Sequence, residues 1–204
     1  MPQRHLILFA KTPQMGRVKT RLARDIGTVA AWRFYRHSVW RVARRLAADP
    51  RWRTVLSVSP DADKDAAYWP ATADRLAQGR GDLGQRMRRA FLAMPPGPAL
   101  LVGGDIPSIA PHHIARAFAV LGRADAVFGP ANDGGYWLVG LKRVRAMPDL
   151  FAGVRWSTEH ALSDTCANLR HHRYVLVDEL IDVDTIDDLR LWSARPTDAG
   201  RASD

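Results

Sequence analysis

Ala99-Leu100-Leu101-Val102-Gly103-Gly104-Asp105-Ile106-Pro107 is the stretch on which the reading of this chain turns. Its unbroken apolar run, without polar alternation, suits a strand covered on both faces, as in a parallel sheet between two helical layers. The run ends at two glycines and a carboxylate. In open sheets of that kind ligands bind outside the carboxyl ends of the strands, so Asp105 stands where chemistry is expected. Similar short runs at 5–10, 53–59, 124–128, 136–141 and 174–177 predict five more strands. Helix-patterned segments separate most of them, which predicts a single α/β domain over 1–195 with a mixed, mostly parallel sheet.

The helical segments carry their own signals. Tyr35, Val39, Val42 and Leu46 recur at three- and four-residue steps, with Arg33, Arg36, Arg44 and Arg45 largely elsewhere, as in an amphipathic helix with a basic outer face. Further helices are expected over 83–94, 111–121, 158–169 and 186–193. Their start signals are Asp82, Ser108 with Pro111, Ser157, and Thr185 paired with Asp188. Residues 196–204 lack apolar content and read as a loose tail. No internal repeat or interdomain linker interrupts the pattern.

Composition narrows the class. At 204 residues, 47% hydrophobic and 25% charged, the chain can build a core without disulfides or a structural metal. Cys166 has no internal partner, no apolar run is long enough to span a bilayer, and 6–10 is too short for a signal peptide; a cytoplasmic protein is expected. The formal charge is +9, and of 30 basic residues only Lys11, Lys19, Lys64 and Lys142 are lysine. Such a surface attracts phosphorylated metabolites or nucleic acid. Zinc-finger spacing, a basic zipper and an aromatic RNA-binding signature are all missing, so nucleic acid is not the expected partner.

Four loops after strands carry unusual residues. The segment 11–22 holds Lys11, Gly16, Arg17, Lys19 and Arg21, a set that suits a di- or triphosphate but matches neither a P-loop nor a dinucleotide fingerprint; a solvated basic turn is the bland alternative. Gly79, Gly81 and Gly84 bracket Asp82 and Leu83, either as a plain turn or for close approach of backbone to a ligand. Asp105 either caps its turn or takes a divalent cation together with substrate phosphates. Asp133-Gly134-Gly135 signals a tight hairpin, and Asp133 is placed to meet a second substrate's hydroxyls. Farther on, Asp182-Val183-Asp184 reads as helix capping or, through Asp182, as a metal ligand. The pairs His112-His113 and His171-His172 lack zinc spacing and are expected at the surface. Trp137 and Trp156 lie closest to these loops. A nucleophile elbow is missing and Cys166 has no activating neighbour in sequence, which disfavours hydrolases.

Taken in order, Phe9-Ala10-Lys11-Thr12-Pro13, Gly16, Val18-Lys19-Thr20-Arg21-Leu22, Gly81-Asp82-Leu83-Gly84, Arg86-Met87, Gly104-Asp105-Ile106-Pro107, Gly129-Pro130-Ala131, Asp133-Gly134-Gly135-Tyr136, Trp156-Ser157-Thr158 and the acids of 182–188 resemble the radical-SAM/selenodomain-associated transferase 1 family. That bacterial group is also known as a domain of unknown function, with some members linked to arsenosugar biosynthesis. The resemblance implies a Rossmann-like GT-A fold of the nucleotide-diphospho-sugar transferase superfamily, shared with molybdenum-cofactor and phospholactate guanylyltransferases. It implies a glycosyltransferase that uses a nucleotide-sugar donor, a small-molecule acceptor and Mg²⁺ or Mn²⁺. The alternatives are a nucleotidyltransferase releasing pyrophosphate and a non-catalytic nucleotide-binding protein. Carried over, Ala10, Lys11, Gly16, Lys19, Arg21, Gly81, Asp82, Leu83, Gly84 and Gly104 would hold the nucleotide, and Asp105 and Asp182 the metal. Asp133, Gly134, Gly135, Tyr136 and Trp156 would face the sugar or acceptor, and Lys19 and Arg21 would stabilise the departing phosphate beside Asp105. One departure stands out: Gly103 occupies the place of the first acid in the D-x-D of standard GT-A glycosyltransferases.

Overall fold

The computed structural model describes residues 3–144 and 146–194; the expected tail at 196–204 lies outside them. Seven strands form one sheet in the order β3-β2-β1-β4-β6-β5-β7. They are β1 (His5–Lys11), β2 (Arg53–Ser59), β3 (Asp74–Ala77), β4 (Ala99–Gly103), β5 (Ala126–Pro130), β6 (Tyr136–Leu141) and β7 (Tyr174–Leu176). Only β6 runs antiparallel to its neighbours β4 and β5; all other pairs are parallel. The mostly parallel α/β fold expected from the sequence is therefore present.

Helices α1 (Leu22–Ile26), α2 (Thr28–Ala47), α3 (Leu83–Leu92), α4 (Pro111–Val120), α5 (Ala161–Ala167) and α6 (Ile186–Ala194) complete the fold. The strands carry apolar residues to both faces. Leu6, Leu8, Leu100 and Val102 pack in one core with Val39, Leu46, Ile114 and Phe118 of α2 and α4. Ile7, Ala99, Leu101 and Val139 pack in the other with Met87 and Phe91 of α3. A fully buried leucine contributes about 1.5–3 kcal/mol, so these alternating faces, rather than any single contact, hold the layers together.

Several boundaries depart from the sequence reading. Strand β3 was not expected: Asp-Arg-Leu-Ala is a short edge segment without an apolar run, and its order comes from pairing with β2. Short α1 was likewise unforeseen, and β5 begins at Ala126 rather than 124. Helix α5 starts three residues later than expected, because Ser157 adopts φ 62° and the turn before the helix is closed by Thr158. Ser108 does not cap α4; the ring of His113 reaches back to accept the Ala110 N–H at 3.1 Å. That bond removes His113 from the surface where it was expected, while His112, His171 and His172 are exposed. Trp137 is core, 1% exposed, its indole N–H on the Asp178 carbonyl at 2.9 Å. The caps predicted at Asp82 and at Thr185–Asp188 are present and reciprocal. So is the hairpin between β5 and β6.

Candidate metal and nucleotide site

Parallel β1 and β4 end side by side, with Phe9 opposite Gly103, so the loops 11–21 and 103–107 leave the sheet together. Gly104 makes that approach possible. Its N–H bonds the Phe9 carbonyl at 2.9 Å, and a Cβ there would lie 3.0 Å from both Ala10 Cβ and Val39 Cγ2. Asp105, the next residue, is thereby held at the mouth of the 11–21 loop.

Asp182 and Asp184 arrive from the far end of the chain. After β7 the backbone runs beside the β5–β6 hairpin: the Leu180 N–H bonds the Pro130 carbonyl at 3.1 Å and the Asp182 N–H bonds Asn132 Oδ1 at 3.0 Å. Asp188 fixes the rest of the segment, with Oδ2 accepting from the N–H groups of Asp184 and Thr185 and from the Thr185 hydroxyl. Asp105, Asp182 and Asp184 each offer a carboxylate oxygen within 4.8 Å of the others. Asp184 is the member that the sequence reading missed as a ligand; the D-x-D spelling at 182–184 was its signal. These two acids supply in space what Gly103 withholds in sequence.

Lys19 stands among the three. Its Nζ lies 2.8 Å from Asp105 Oδ2, Asp182 Oδ1 and Asp184 Oδ1. Burial opposes its charge, but the three carboxylates outweigh burial and hold the ammonium well above the ordinary lysine value. Burial also works against the Asp105 charge, yet Lys19 keeps that carboxyl below the usual range. For Asp182 burial prevails, with the Asp105 charge adding to it, and its pKa is pushed up to about 7. Lys19, expected to offer a free charge to phosphate, is thus fully engaged by acids. Arg21 is exposed at the start of α1, and Lys11 and Gly16 are exposed in the same loop. Tyr35 of α2 secures this loop by bonding both the N–H (3.1 Å) and the carbonyl (2.9 Å) of Lys11. Trp32 adds a bond to the Pro13 carbonyl at 2.9 Å.

The glycine-rich turn is built by side chains behind it. Buried Gln78 donates to the carbonyls of Ala10 and Ser57 and accepts from Arg86, and Arg89 bonds the carbonyls of Gln78 and Arg80. Gly81 and Asp82 remain exposed at the end of this turn, where α3 begins; Leu83 is half-buried and Gly84 buried.

The residues expected on the acceptor side are brought to one flank. Asp133 is exposed and accepts the Gly135 N–H at 2.9 Å. Gly134, at φ 81°, takes the conformation and the space that only glycine fills, since a Cβ would run into the Glu159 backbone. Tyr136 packs edge-on against Phe128 and Trp156, with its hydroxyl 3.5 Å from Thr165 Oγ1; burial raises its pKa and so keeps it protonated. Tyr136 thus packs into this flank while remaining half-buried.

A mostly parallel sheet with an acidic cluster, a basic loop and a glycine-rich turn at its strand ends has the layout in which open α/β sheets bind ligands. The chain belongs to the family described as "Uncharacterized protein conserved in bacteria (DUF2064)", which matches residues 42–158. A protein from Desulfovibrio desulfuricans G20 described as a candidate nucleotide-diphospho-sugar transferase is similar at 29% identity and TM-score 0.87, over 98% of this chain and 90% of that one. Rv0371c of Mycobacterium tuberculosis H37Rv, solved in complex with manganese, shares the fold at 20% identity and TM-score 0.53, covering 93% and 97% of the two chains. So does the 4-diphosphocytidyl-2C-methyl-D-erythritol synthase of Anaerococcus prevotii, at 13% identity and TM-score 0.56 over 93% and 95%. No curated protein matches the chain. Among the described residues no helix is long and apolar enough to cross a membrane.

Proposed function

We propose that this protein is a metal-dependent transferase that takes a nucleotide-sugar donor and passes the sugar to a small-molecule acceptor. The observation that carries this reading is the convergence of Asp105, Asp182 and Asp184 beside the basic 11–21 loop. Three hard carboxylate oxygens, each on a side chain 26–39% exposed, suit Mg²⁺ or Mn²⁺, which keep several positions for water and substrate phosphate. When bound, such an ion supplies Lewis-acid stabilisation of the charge on the departing diphosphate.

The chain's own groups supply the rest. The 11–21 loop carries Lys11 and Arg21 at the surface, and these would neutralise the phosphates as negative charge builds on them. Exposed backbone at Gly81 and Asp82 would lie along the nucleotide. Asp133 would orient the acceptor's hydroxyls, with Trp156 as the adjoining apolar wall.

The likeness to the Desulfovibrio protein, described as a candidate nucleotide-diphospho-sugar transferase, supports sugar transfer. Gly103 at the first acid position favours a second reading, nucleotidyl transfer, in which a triphosphate is attacked and pyrophosphate leaves. Mixing the protein with nucleotide-sugars, or with triphosphates and phosphorylated acceptors, separates the two: nucleoside diphosphate release supports the first and pyrophosphate release the second. Asp105→Asn is expected to lower turnover by roughly 10²-fold or more, the usual scale for losing a main electrostatic element. Wild-type turnover and metal dependence in that variant would refute the assignment.

A further inference from the structure

Lys19 is the most enclosed charged group of the site. Its side chain is 3% exposed, against 33%, 26% and 39% for Asp105, Asp182 and Asp184. Its ammonium hydrogen-bonds Asp182 and Asp184 and forms an ion pair with Asp105, all at 2.8 Å. Among the described residues no other cation pairs with these acids. Nζ therefore fills the point where the three carboxylates converge, which is also where oxygens from all three can best reach a single ion. The backbone beneath it is irregular: Lys19 has φ 45°, in a turn between β1 and α1. A flexible four-carbon stem on such a turn can leave its place without moving the sheet.

We propose that Lys19 is the resident counter-ion of this site, that a divalent cation binds the three carboxylates only by displacing its ammonium, and that arrival of the metal thereby uncovers Lys19. This inference rests on the metal reading of the triad. It gives the lysine two states: masked among acids in the metal-free protein, and free to meet an anionic ligand once the metal is bound. Two cations cannot use the same lone pairs, so removing one should favour the other.

With only four lysines in the chain, amine acetylation followed by mass spectrometry reports Lys19 directly. In the metal-free protein Lys19 is expected to react far more slowly than Lys64, whose side chain is 38% exposed against 3% for Lys19. Saturating Mn²⁺, monitored by the loss of the free-ion electron paramagnetic resonance signal, should accelerate Lys19 several-fold and leave Lys64 unchanged. In parallel, Lys19→Met should bind Mn²⁺ at least ~10-fold more tightly than wild type, a difference of about 1.4 kcal/mol. Should Lys19→Met fail to fold without metal, the wild-type footprint still decides. Lys19 remaining masked at saturating Mn²⁺, or no gain of affinity in a folded Lys19→Met, overturns the displacement while leaving the metal site intact. Failure of Mn²⁺ to bind either protein overturns the metal reading and this proposal with it.

Discussion

Tyr35 reaches from the buried side of α2 to Lys11 and holds both polar groups of one residue. Replacing it with phenylalanine keeps the ring packing and leaves those groups without their partner. Tyr35→Phe is expected to cost about 1–3 kcal/mol in chemical denaturation, for two part-buried hydrogen bonds at about 0.5–1.5 kcal/mol each. Nucleotide affinity should fall with it if the 11–21 loop holds phosphate, which calorimetry would read. Periodicity marked Tyr35 as a core-facing helix position, and its ring is one; nothing local announced that its hydroxyl would brace a loop 24 residues away. The surroundings of Lys19 escaped the sequence for a related reason. The loop's basic spelling was legible, but the carboxylates that enclose its ammonium lie 163 and 165 residues downstream for Asp182 and Asp184.

At the scale of elements, the segment 153–158 shows how a loop without regular structure is made rigid. Asp164 of α5 accepts from the Arg155 backbone N–H and from both arms of its guanidinium, and these bonds lower its pKa to about 2. A carboxyl whose folded pKa lies below its unfolded value contributes stability at pH above about 4, and that contribution disappears as pH falls toward 2. Arg155→Ala should move the Asp164 midpoint back up toward 4 in a carboxyl NMR titration and flatten this acid-side loss. On the neighbouring turn, Gly134→Ala should destabilise by about 2–3 kcal/mol, because both φ and the Glu159 backbone oppose a Cβ. The elements themselves were largely readable where burial on both faces left unbroken apolar runs, as in β1, β2, β4 and β6. Reading failed for β3, whose order comes from its neighbour, and at the start of α5, where a positive-φ serine and a threonine bond replaced the expected cap.

For the whole molecule, the site joins the two ends of the described chain. A ligand that binds only this assembled state stabilises all of it: at about 100 times its dissociation constant, the gain is about 2.7 kcal/mol. For a domain of this size that corresponds to a rise of roughly 5–10 °C in melting temperature. Mn²⁺ with the correct nucleotide-sugar should give a shift of this order in wild type and a much smaller one in Asp105→Asn; equal shifts would place the metal elsewhere. The same long reach governs when the site comes into being. Contacts between residues so far apart in sequence close late and slow the search for the native state. During synthesis the N-terminal strands can pair and the basic loop can emerge, but the acidic cluster stays incomplete until the segment through Asp188 has docked on the hairpin. The three-carboxylate cluster is thus completed in one late step of folding, and a nascent chain carries its acids apart.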